Sequence, residues 1–183
     1  MKIGVLVGSL REGSLNKKLA KAVMKRLPED FTAEIVDISK LPFYNEDFDT
    51  EGNLPEEVRA FRETVKGYDA ILLVTPEYNR STTPVLKNAM DTGSRPFGKS
   101  VWNGKPVAVL SASPGAIGGF GANHHLRQSI SFLDMPIMQQ PEVYFGGAHE
   151  KLDDNGEPVD ADTESFIQLI ADSYAAHVKK NLA

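Results

Sequence analysis

The sequence predicts a doubly wound α/β fold, a five-stranded parallel sheet in the order 2-1-3-4-5 with helices on both faces. Three observations predict it. Strand-like and helix-like patterns alternate along the whole chain, with no internal repeat or low-complexity tract. The stretch Asp69-Ala70-Ile71-Leu72-Leu73-Val74 is apolar after its first residue, as a central parallel strand covered on both faces must be. Five strands with right-handed crossovers fit this order better than the six-stranded dinucleotide binders do. At 183 residues the expectation is a single domain over 1–183, long enough to close a substantial core.

The elements follow in order. Ile3 to Val7 is the first strand, and Leu15, Leu19, Val23 and Leu27 recur at helical spacing after it. Phe31 to Ile38 reads as the second strand. Residues 39–55 form a connection too long to be idle in a compact domain. Pro55-Glu56-Glu57 opens a helix with proline in the first turn and acids at the positive end of its dipole, and Val58, Phe61 and Val65 form its buried stripe. After the third strand and a loop to Pro84, a helix spans about 85–92, burying Leu86 and Met90. Pro106 to Leu110 is the fourth strand, and a glycine-rich turn leads to a helix over about 123–134. Val143-Tyr144-Phe145 is the fifth strand, with Ile137-Met138 as a candidate extension. The last helix runs from about 162 to 181 and buries Phe166, Ile170 and Tyr174.

Composition narrows the function. A net charge of −5 offers no broad basic surface for nucleic acid or an anionic membrane. The chain has no cysteine, which excludes disulfides, thiol chemistry and the cysteine-dependent phosphatases that also carry a phosphate loop after strand one. No apolar run approaches a membrane span, and the N-terminal run is too short for a signal sequence, so the expected location is cytoplasmic.

Three loops carry the chemistry. Gly8-Ser9-Leu10-Arg11-Glu12-Gly13-Ser14-Leu15-Asn16 joins the first strand to the first helix. Free amides at a helix N-terminus, hydroxyls from Ser9 and Ser14, the Asn16 amide and the Arg11 guanidinium form a donor set for a phosphate monoester. It is not a Walker A loop, because Ser14-Leu15 stands where Lys-Ser/Thr is required. Nor is it a dinucleotide fingerprint, since Leu10 occupies the second glycine position. The fold brings Thr75 to Ser81 and Ser111 to Gly119 to the same sheet edge. The former offers an aromatic face and an amide, and the latter lets backbone approach a planar ligand. Together they describe a flat heterocycle with one phosphate, and the strand order binds FMN at this edge.

Gly8-Ser9-Leu10-Arg11-x-x-Ser14-x-Asn16, Pro76-Glu77-Tyr78-Asn79 with Ser81, Leu86-Lys87-Asn88-Ala89-Met90-Asp91, Ser113-x-Gly115-x-x-Gly118-Gly119 and His125-Leu126-Arg127-Gln128 resemble the NADPH-dependent FMN reductase family, most closely its chromate- and quinone-reducing branch. The resemblance covers nearly the whole chain. It implies a flavodoxin-like three-layer fold, non-covalent FMN, NAD(P)H as hydride donor, and homodimers or tetramers of paired dimers. By position, it implies that Ser9, Arg11, Ser14, Leu15 and Asn16 hold the phosphate, that Pro76, Glu77, Tyr78, Asn79 and Arg80 line the isoalloxazine, and that Ser113 and Gly115 flank its other edge. Two departures stand out: Ser81-Thr82-Thr83-Pro84 replaces the family's Ser-x-Pro-Gly, and Thr92 stands where Trp is common. Both lie where an acceptor or a neighbouring subunit would approach.

Several residues read more plainly. His124-His125 lack an acidic partner at ligand spacing and serve as helix-start or interface residues. Asp153-Asp154-Asn155-Gly156 is a tight turn, not a calcium loop, because Lys151 holds the first ligand position. Trp102 belongs to a loop or an interface. No side chain is needed as acid, base or metal ligand, because the flavin N5 would carry the chemistry. The expected activity is ping-pong transfer from NAD(P)H through FMN to quinones, with chromate as a further acceptor. The alternatives are a flavodoxin-type electron carrier and a flavin-free regulatory domain. The latter needs an acidic pocket where Gly8-Ser9 stands.

Overall fold

Strands β1 (Lys2–Val7), β3 (Ala70–Thr75) and β4 (Val107–Ala112) are buried along nearly their whole length, and this decides the architecture. A sheet with both faces apolar needs helices on both. The computed structural model, which describes residues Met1–Ala183, supplies them. With β2 (Thr32–Ile35) and β5 (Val143–Phe145) the sheet runs β2-β1-β3-β4-β5, every neighbouring pair parallel. Val5 pairs with Leu72, Leu72 with Ala108, and Leu110 with Val143.

The two-residue period of a strand sends alternate side chains to opposite layers. Ile3, Val5 and Val7 join Leu19 and Val23 of α1 (Leu15–Met24) and Ile167, Ile170 and Tyr174 of α6 (Ala161–Leu182). Leu6, Ile71, Leu73 and Val109 face the other way. They meet Phe61 and Val65 of α2 (Glu56–Lys66), Leu86 and Met90 of α3 (Pro84–Gly93), and Leu126 and Ile130 of α4 (Phe120–Phe132). A short α5 (Ala148–Lys151) follows β5. No helix is long and apolar enough to cross a membrane.

Several boundaries differ from the sequence expectation, each for a local reason. Helix α1 stops at Met24 because Pro28 cannot continue it, so Leu27 packs on the core from the following turn. Pro55 is the N-cap of α2 rather than a first-turn residue. Helix α4 begins three residues earlier than expected, at Phe120, and ends at Phe132; Asp134 lies beyond it in a left-handed conformation. Ile137-Met138 does not extend β5. The Met138 amide donates to Val107 O at 2.8 Å, alongside the start of β4. Phe166 is only partly buried, and Ile167 takes the core position. Trp102 lies in the loop between α3 and β4, as expected, but is buried in the core rather than open to an interface. It is 1% exposed and donates to Met90 O, with its indole pressed where a Gly93 Cβ would stand.

The long 39–55 connection is tethered. A 3-10 turn at Glu46–Asp49 places Asp49 to accept from buried Arg62 at 3.0 Å and from the Tyr44 hydroxyl at 2.8 Å. Asn88 of α3 accepts from the Tyr44 amide and donates to Pro42 O.

Candidate functional site

The loops after β1, β3 and β4 meet at the carboxyl edge of the sheet. Gly8 ends β1, its amide donating to Val74 O at 2.8 Å. A Cβ there would lie 2.7 Å from the buried Thr83 Oγ1, so the chain can turn here only as glycine. Ser14 caps α1, its Oγ accepting from the Lys17 amide at 3.1 Å. Its hydroxyl proton remains to donate. The Leu15 and Asn16 amides, in the first turn of α1, have no acceptor within the chain. Ser9 is buried in the same loop, and the exposed Arg11 donates to Gly13 O at 2.8 Å. Hydroxyls, open amides at a helix N-terminus and a guanidinium fit a phosphate monoester. The one carboxylate in the stretch, Glu12, is exposed.

Asn16 does a different job from the one its position suggests. Its buried carboxamide donates to Ala112 O and accepts from Ala112 N, both at 3.0 Å. One N–H and the oxygen of the carboxamide clamp α1 to the end of β4, and the backbone amide is free to meet an anion. The clamp ties the loop after β1 to the loop after β4.

The loop after β3 is a tight hairpin. Tyr78 and Ser81 exchange backbone hydrogen bonds of 2.9 and 3.0 Å, and the two residues between them, Asn79 and Arg80, have φ of 51° and 67°. That is the two-residue turn whose twist matches its flanks. Tyr78 is half exposed, so its ring offers a face to a ligand. Glu77 turns back into the molecule, accepting from the Ala122 amide at 3.1 Å and pairing loosely with Arg80.

In the loop after β4, Ser113 Oγ donates to Gly115 O at 3.0 Å, and a side chain on Gly115 would meet only that hydroxyl. Gly118 and Gly119 do not face a ligand as expected. A Gly118 Cβ would stand 2.3 Å from the Tyr144 carbonyl carbon, and a Gly119 Cβ 2.9 Å from Ser111 Cβ. These glycines let the loop fold onto its own sheet.

Sequence reasoning missed an aromatic set beside this loop. Phe120 lies 4.2 Å from His124 and 5.0 Å from Tyr144, ring centre to ring centre, and His124 Nε2 is 2.8 Å from the Tyr144 hydroxyl. Burial first, and then the charge of Glu142, push the Tyr144 phenol above its ordinary pKa. The i, i+4 spacing of Phe120 and His124 was the available signal, hidden by the late start assigned to the helix. His125 meets Ser81 on the other side of α4. No cluster of three His, Cys, Asp or Glu side chains is placed to hold a metal.

The model for NADPH-dependent FMN reductases matches residues 1–150. The chain belongs to that family. It is 53% identical over 181 residues to a Pseudomonas putida protein named quinone reductase, covering 99% of this chain and 96% of that one. It is 48% identical to a 2-hydroxy-1,4-benzoquinone reductase of a Burkholderia species, over 98% of this chain and 97% of the relative. Among solved structures, the FerB flavoenzyme of Paracoccus denitrificans, an NAD(P)H:(acceptor) oxidoreductase, superposes with a TM-score of 0.92 at 36% identity, covering 98% of both chains. As an FMN reductase, the chain has FMN as its cofactor, and its donor-rich first loop suits the flavin phosphate.

A separate groove lies away from these loops. It encloses about 910 Å³ between α3 and α4, with Tyr44, Met90, Phe97 and Phe132 among its lining, and includes no residue of the three loops. The open amides, hydroxyls and exposed tyrosine of the three loops, not the groove, are the groups that fit a phosphate and a planar ring.

Proposed function

We propose that residues 1–183 form one FMN-binding unit that oxidises NAD(P)H and reduces quinones. The observation that carries this is the pairing of an anion-binding turn with an aromatic hairpin at the switch point of the sheet. The quinone reductases at 53% and 48% identity support the acceptor class. In this reading Ser9, Ser14, Arg11 and the Leu15 and Asn16 amides hold the phosphate. Pro76, Tyr78, Asn79 and Arg80 line one side of the ring system, and Ser113 and Gly115 the other. Glu77 belongs to this wall but acts from behind it.

When bound, FMN supplies hydride acceptance from the nicotinamide and electron donation to the quinone. The protein's part is to position and to leave access. Tyr78 is the one aromatic in the two wall loops before Phe120, so one face is covered and the other stays open. Donor and acceptor then take turns at the same face, which makes the kinetics ping-pong. The exposed Arg80 beside the ring system extends the acceptor list to chromate, an oxyanion.

We also infer a cytoplasmic homodimer or a tetramer of paired dimers. The family resemblance is its basis, and Phe97 and Phe132, 91% and 89% exposed beside the α3–α4 groove, give it an apolar surface. The rival reading, an electron carrier on the same fold, needs no open face for a nicotinamide. Steady-state rates with NADPH or NADH against a benzoquinone separate the two. Parallel double-reciprocal lines are expected, and the absence of turnover with either nucleotide would favour the carrier.

A further inference from the structure

Helix α4 carries no capping side chain of its own. Its N-cap is Gly119, at φ 83°, and no side chain there reaches the first turn. The acceptor comes from 45 residues upstream, where Glu77 Oε2 accepts from the Ala122 amide at 3.1 Å. Ala122 is the third residue of the helix, and its amide is one that an N-cap side chain ordinarily serves. The carboxylate also meets the positive end of the helix dipole. The fit is close. A Cβ on Gly121 would lie 2.9 Å from Arg80 O and 3.0 Å from Glu77 Oε2. A second contact, Ser81 Oγ to His125 Nδ1 at 2.9 Å, holds the far end of the hairpin to the same helix.

These contacts join the two walls of the site. The hairpin brings Tyr78 and Asn79, while the loop from Ser113 runs directly into α4. The spacing between the walls is therefore set at the α4 N-terminus as well as by the sheet. The hairpin also holds two non-glycine residues, Asn79 and Arg80, in the left-handed region. Such a turn persists only where its surroundings over-determine it.

We propose that Glu77 is a positioning residue whose carboxylate staples the 78–81 hairpin to α4 and so sets the gap that receives the isoalloxazine. This rests on the FMN reading. Without the staple the hairpin populates open arrangements, and apparent flavin affinity falls with the competent fraction. The contact is of capping strength, so the loss is roughly three- to thirtyfold. The phosphate loop is untouched, so the loss falls equally on flavins with and without a phosphate.

The test is fluorescence titration of the apoprotein with FMN and with riboflavin, for wild type, Glu77→Ala, Glu77→Gln and Gly121→Ala. Glu77→Ala and Gly121→Ala are expected to weaken both flavins by the same factor, leaving their ratio unchanged. Glu77→Gln keeps a carbonyl acceptor for the Ala122 amide and is expected to stay within about twofold of wild type. Amide exchange in Glu77→Ala is expected to quicken at residues 78–81. Unchanged affinity in both disruptive variants, or a loss confined to FMN, would overturn the staple. Gly121→Ala decides alone if Glu77→Ala does not fold, since it disturbs the same contact from the helix side. Wild-type apoprotein that binds neither flavin would overturn the FMN reading itself.

Discussion

At the scale of single residues, the site separates contacts that face a ligand from contacts that hold the ligand-facing ones in place. Arg11 belongs to the first kind. Its guanidinium is exposed in the same loop as the open amides. Replacing it with alanine is expected to weaken FMN roughly ten- to hundredfold while leaving riboflavin, which lacks the phosphate, nearly unaffected. Equal losses in titrations of the two flavins would remove Arg11 from the phosphate site. Asn16 belongs to the second kind. Nothing in Ser14-Leu15-Asn16 distinguishes a carboxamide that points at a ligand from one that reaches a strand 96 residues away. Asn16→Ala is expected to cost about 1–3 kcal/mol in denaturant unfolding, because it leaves the buried Ala112 carbonyl without its partner. Tyr174 shows the reverse case. Its hydroxyl is buried with no partner, and burial alone pushes its pKa far up. Tyr174→Phe is expected to raise stability by about 1 kcal/mol, and a lower melting temperature would show that the hydroxyl is satisfied after all.

At the scale of elements, the sequence was most legible where periodicity is strong and least where ends are set by distant partners. The continuous run of β3 and the stripe of α2 announced themselves. The start of α4 did not, because its cap is Glu77 rather than a neighbouring Ser, Thr, Asp or Asn. The staple is invisible in sequence for the same reason. A second tertiary contact of this kind joins α1, the 153–157 turn and α6. Arg26 donates to Glu164 at 2.8 Å and also faces Glu157, which pairs with Lys25. The hydrogen bond from Arg26 holds the Glu164 carboxyl below its ordinary range, and that from Lys25 does the same for Glu157. A carboxyl depressed in the folded state adds stability above its unfolded pKa and loses it as pH falls through the folded one. Melting temperature is therefore expected to drop on acidification below about pH 4.5, and Glu164→Gln to flatten that limb. An identical acid limb in the variant would remove this pair from the acid response.

At the scale of the whole molecule, strand order, layering and the sheet edge that carries the site all follow from alternation and from where glycines interrupt it. What no pattern in one chain reveals is which surface a second copy would take in the proposed assembly. The exposed Phe97 and Phe132 point to one, and light scattering is expected to give two or four subunits. A fully active monomer would contradict the assembly. In the proposed mechanism the open flavin face serves a nicotinamide and then a quinone. The most direct measurement is anaerobic rapid mixing of the flavin-loaded protein with excess NADPH or NADH, followed by a benzoquinone. The yellow absorbance is expected to bleach fast enough to support turnover and to return when the quinone is added. Flavin that stays oxidised for minutes under both nucleotides would contradict it.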